Sequence, residues 1–100
     1  MIKIVLPILE NLPWTQVEEA VTRCCTNEGL VVGIFTTLRQ YPGSVHWHWR
    51  KEGTKGVLEV TAWEKKRLLY LKIQSGRNAP WVEPCAERLQ EALAAALGGD

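Results

Sequence analysis

The sequence predicts a single-domain α+β protein in the order β-α-β-β-β-β-α, an antiparallel meander sheet with two helices on one face. Three observations lead there. The chain has 100 residues, room for one core and no second domain. Apolar residues recur at helical spacing in only two stretches, one near each end. Between them lie four alternating or β-branched segments joined by short turns, and short turns allow only antiparallel pairing. With 46% apolar and 23% charged residues, the composition is globular and excludes intrinsic disorder.

Ile2–Leu6 alternates around Lys3 and reads as a strand that Pro7 stops. Pro13 sits where a helix can start, because the first turn does not need its missing N–H. Thr15 and Glu18 have capping-box spacing and offer a second start. Trp14, Val17, Val21 and Cys24 then share one face, with Cys25 beside them, and Gly29 is the natural stop. Leu30–Leu38 is uncharged and β-branched, so it is a strand. Tyr41-Pro42-Gly43 is a turn signal. Ser44–Lys51 and Val57–Trp63 form a hairpin closed by Glu52–Gly56. Glu64–Arg67 turns the chain again into Leu68–Gln74. After a loop at Ser75–Ala79, the last helix starts near Pro80 or Pro84 and runs to about Leu97. Its stripe is Val82, Cys85, Leu89, Ala92, Leu93 and Ala96, and Gly98-Gly99 ends it.

In element order the chain resembles TATA-box-binding-protein-like and helix-grip folds, in which a long C-terminal helix lies across a curved sheet. The likeness is one of order alone, so it implies an architecture and no activity.

Side chains alternate along strands, which divides the sheet into two faces. Leu30, Val32, Ile34 and Leu38 are expected toward the helices, with Val45, Trp47, Trp49, Leu58, Val60, Ala62, Leu69, Leu71 and Ile73. The opposite face then carries two rows: Phe35, His48, Glu59 and Lys72, then Thr37, His46, Thr61 and Tyr70. A merely wet face would be Thr, Lys and Glu. Here Phe35, Trp63, Leu68, Tyr70 and two histidines are added, which marks a contact surface. The candidate interaction face is Phe35, His46, His48, Arg50, Glu59, Trp63, Leu68, Tyr70 and Lys72.

His46 and His48 project from one side of a strand, and Glu59 lies opposite His48. That set is workable for zinc or non-haem iron, or as a base with its orienting carboxylate. No further ligand is nearby and no nucleophile is activated. A His48–Glu59–Lys72 cross-strand ladder is the plainer reading. No metal or cofactor is therefore expected and no catalytic residue is assigned, while a metal-dependent or His/Glu acid–base enzyme centred on His46, His48 and Glu59 stays the third alternative. Aromatic stacking with Arg50, Lys72 and Lys65-Lys66-Arg67 would suit single-stranded nucleic acid. Against it, 12 Lys and Arg face 11 Asp and Glu, a net charge of only +1, so nucleic acid is not an expected partner. Of the five Trp, only Trp63 is a binding candidate.

The three cysteines are an odd number, and adjacent Cys24 and Cys25 diverge on a helix rather than face each other. With no C-x-x-C pair, signal peptide or membrane span read, a cytoplasmic protein is expected. The partner expected on the open face is a second copy of the chain, giving a homodimer. Binding of a small molecule or of single-stranded nucleic acid on the same face is the alternative.

Overall fold

Alternating segments and turn residues resolve into β1 (Ile2–Pro7), α1 (Trp14–Asn27), β2 (Val31–Leu38), β3 (Tyr41–Arg50), β4 (Leu58–Trp63), β5 (Leu68–Ile73) and α2 (Val82–Gly98), with a 3-10 turn at Ser75–Arg77. This computed structural model describes residues 1–98. Gly99, half of the expected helix stop, lies outside the described residues. The strands form one antiparallel sheet in the order β1-β5-β4-β3-β2. The meander is as expected, and β1 closes onto β5, pairing Ile4 with Leu71 and Val5 with Tyr70.

Pro13 caps α1 without a side-chain hydrogen bond. Its carbonyl accepts the Gln16 N–H at 2.9 Å, so the Thr15–Glu18 capping box is not used. α2 packs on β1 and β5 and lies beside α1. Val17, Val21, Cys25, Leu89, Leu93 and Leu97 meet Trp47, Leu58, Val60, Leu69 and Leu71 in one buried core. Two helices packed ~8–10 Å apart cannot cover five strands spaced ~4.8 Å apart. β2 is the strand left out: seven of its 8 residues are exposed.

The far strand is where the expected faces fail. Phe35 pairs with Trp47 and Ile34 with His48, because the β2–β3 register shifts between Val32 and Ile34. Gly33 sits at that bulge, where the Arg50 side chain crosses close over it. One extra residue inverts the parity of everything after it. Phe35 therefore faces the helix side, while Ile34 stands on the open face. Thr36, not Thr37, stands beside His46, and Leu38 also lies on the open side. The expected turn at Tyr41-Pro42-Gly43 is displaced too. Arg39 and Gln40 make the turn and Leu38 pairs with Tyr41. Pro42 and Gly43 lie within β3, where a second irregularity is relieved by Gly43 at φ +81. From β3 to β5 the expected rows are correct: His48, Glu59 and Lys72 align, as do His46, Thr61 and Tyr70.

No helix among the described residues is long and apolar enough to cross a membrane.

Candidate functional site

The face away from the helices is not a flat surface. The β2–β3 hairpin brings Tyr41 over it, with ring centroids 4.9 Å from Trp63 and 5.5 Å from Tyr70. Trp63 Nε1–H donates to the Pro42 carbonyl at 3.0 Å, tying the hairpin to the sheet. Lys3 Nζ lies 4.4 Å from the Tyr70 ring centre, and Lys72 Nζ lies 5.8 Å from that of Tyr41. Beside this aromatic cluster a cavity of about 550 Å³ opens. Its floor is His46, His48 and Glu59. Leu38 and Gln40 border it from the hairpin, Lys72 and Gln74 from β5 and beyond, and Arg77 from the 3-10 turn.

The floor is buried within one chain. His46 is 4% exposed and Glu59 7%, the latter a low value for a carboxylate. His46 Nδ1 shares a 2.7 Å hydrogen bond with Thr61 Oγ1, which sits opposite it on β4. Both imidazoles direct Nε2 at the same Glu59 oxygen, His46 at 3.6 Å and His48 at 3.9 Å. Arg77 approaches the other Glu59 oxygen at 3.6 Å from a half-exposed position. His48 Nδ1 is buried without a partner, and so is Ser44 Oγ.

Burial, reinforced by the neighbouring His48, pushes His46 below the ordinary imidazole range, and Glu59 only partly offsets this. His48 is lowered by burial too, against the pull of Glu59 and with help from Arg77 and Arg50. Both rings are therefore neutral near pH 7, so their contacts with Glu59 are not salt bridges. Neutral imidazole is also the form that carries a free nitrogen lone pair, the requirement for a base or a metal ligand.

Of the residues singled out from sequence, the fold brings together His46, His48, Glu59 and Lys72. Trp63 and Tyr70 stand beside them in the aromatic cluster. Leu68 lies at the rim between Pro7 and Trp63. Arg50 ends β3, exposed. Phe35 is absent from this face. It lies on the opposite side, 5.4 Å from the Trp47 ring, in a separate apolar groove with Val32, Trp49, Glu18 and Thr22. Tyr41 and Arg77 were missed. Their sequence context is a turn signal for Tyr41 and a loop for Arg77, where no periodicity betrays direction.

Comparison with protein-family models, curated proteins and solved structures finds no match, so the site is read from its chemistry alone.

Proposed function

We propose that this chain is a small-molecule binding module, and that its ligand is an anion carrying carboxylate or phosphate groups, held in the basin on the open sheet face. One observation carries the reading: a cavity of about 550 Å³ with a buried polar floor and Lys72 and Arg77 at its wall. That volume falls within the range of small-molecule sites, roughly 300–1,000 Å³. Two cations outnumber the single carboxylate, Glu59, and Gln40 and Gln74 add neutral donors. Arg77 is half exposed, so it can turn from Glu59 to an incoming oxyanion and pair with it in bidentate fashion. Calorimetric titration with pyrophosphate and citrate tests this. Saturable binding is expected, weakened at least tenfold by Arg77→Ala together with Lys72→Ala. Equal affinity in that double variant, or no binding to the wild type, rejects the anion.

A second reading, self-association, is favoured by a different surface. The side chains first expected to hold two open faces together are largely covered within the chain: Tyr70 is buried, Trp63 is bonded to Pro42, and Phe35 is elsewhere. Exposed apolar area lies instead on β2, where Val31, Val32, Ile34 and Phe35 are 42–56% exposed. β2 is an edge strand with no charge and no proline. The other edge, β1, is shorter and carries Lys3 and Pro7, two features that discourage strand addition. We propose that two copies pair β2 to β2 across a twofold axis, an isologous contact that uses both β2 edges. Sedimentation should show a concentration-dependent dimer abolished by Ile34→Lys. A monomer at every concentration ends this reading. The cytoplasm is the compartment that suits its three free thiols.

A further inference from the structure

We propose that His46, His48 and Glu59 form a binding site for a divalent transition-metal ion of the zinc or iron(II) class. The inference stands apart from the anion reading, because it rests on the floor of the basin and not on its cationic wall.

Strand geometry begins the argument. Residues two apart on one strand face share a side, about 6.5–7 Å apart, and here the two rings converge to a centroid distance of 5.0 Å at 74°. Glu59 is the cross-strand partner of His48. The donor atoms of all three lie within 4.8 Å of one another.

The separations are informative in themselves. At 3.6 and 3.9 Å from Glu59 Oε1, both Nε2 atoms are too far for an N–H···O hydrogen bond. Two ligands held about 2.1 Å from one tetrahedral ion stand about 3.4 Å apart. The His46–Glu59 distance is close to that value, and the other donor pairs, within 4.8 Å, must close further around a bound ion. Among the described residues Glu59 accepts no hydrogen bond, although it is 7% exposed. A carboxylate this little exposed favours cations beside it, and Arg77 is one. Arg77 approaches only Oε2, which leaves Oε1 to the site both imidazoles address.

Thr61 supplies the support that such a centre needs. Its bond to His46 Nδ1 fixes the ring and leaves Nε2 as the nitrogen that faces Glu59 and would offer its lone pair to an ion, the arrangement by which outer groups orient metal-bound histidines. Three protein ligands leave coordination positions open toward the cavity, as in catalytic rather than structural sites. A carboxylate or phosphate group in the basin could fill one of them.

Cobalt(II), titrated into the chain in a buffer free of phosphate and carboxylate, is the direct probe. Its visible absorption reports coordination, and zinc competition follows. Stoichiometric binding is expected in the wild type and in Cys24→Ser, and its loss in His46→Ala, His48→Ala and Glu59→Gln. Thr61→Val should weaken binding by about 10–100-fold, with folding checked by circular dichroism. Should the alanine variants unfold, imidazole NMR of the wild type decides: zinc must shift the rings of both His46 and His48. Absence of saturable binding, binding that survives His48→Ala and Glu59→Gln, or unshifted rings overturns the proposal. Because no anion is present, these outcomes are independent of pyrophosphate or citrate binding.

Discussion

Buried thiols and buried imidazoles behave oppositely in this chain, and the thiols give the cleaner prediction. Burial, with Glu28 adding negative charge, pushes Cys85 up to about 11, and burial raises Cys25 further. A free thiol in the unfolded chain ionises near 8.5. Above that pH the unfolded state has lost protons that the folded state keeps, so stability must fall as pH rises. Their contribution is complete below about pH 8.5 and is lost progressively toward pH 11. Denaturant unfolding at stepped pH should show the decline begin there, and flat stability to pH 11 would refute it. Cys24 is only partly buried, so a thiol reagent should modify it first. Cys25 and Cys85 should react only after unfolding, and simultaneous labelling of all three in the native protein contradicts the burial. In the core, Leu58→Ala at a fully buried position should cost about 2–5 kcal/mol.

At the scale of elements, the turns separate strain from crowding. Gly53 and Gly56 close the β3–β4 hairpin at φ +75 and +104. A Cβ on Gly53 meets nothing, whereas on Gly56 it falls 2.8 Å from Ala79 Cβ and 2.9 Å from Val82 Cγ2. Gly53→Ala should therefore show backbone strain alone, about 1–2 kcal/mol. Gly56→Ala should lose clearly more, because the start of α2 must move. Equal thermal shifts for the two would show that the packing there is looser than described. The same scale explains where sequence reading failed. From Ser44 through β5 nothing interrupts the alternation, and every row is legible. In β2, Gly33 was the warning, since a glycine inside a strand often marks a bulge. The bulge puts Phe35 on the helix side and so removes one of the four apolar side chains expected to hold a face-to-face dimer. The Tyr41-Pro42-Gly43 turn failed for a related reason: Pro and Gly suit a central turn position and a strand irregularity equally well.

For the whole molecule, the architecture followed from patterning because two amphipathic helices and four short-looped strands leave few ways to bury one core. The pairing of His48 with Glu59 and of His46 with Thr61 was equally accessible, being a matter of register. The depth of the site was not. It depends on Tyr41 folding onto Trp63 and Tyr70, and on Arg77 reaching Glu59 from the 3-10 turn. Those are long-range contacts from irregular segments, invisible to periodicity. They turn the expected open contact face into a basin. Backbone and side-chain NMR of the chain titrated with pyrophosphate reads whether that basin takes up an anion. Saturable shifts are expected at His46, His48, Glu59, Lys72 and Arg77, with Leu38 at the rim, while Phe35 and the outer helix surfaces stay unmoved. Shifts scattered over the surface, or centred on the Phe35–Trp47 groove of the opposite face, would contradict this expectation.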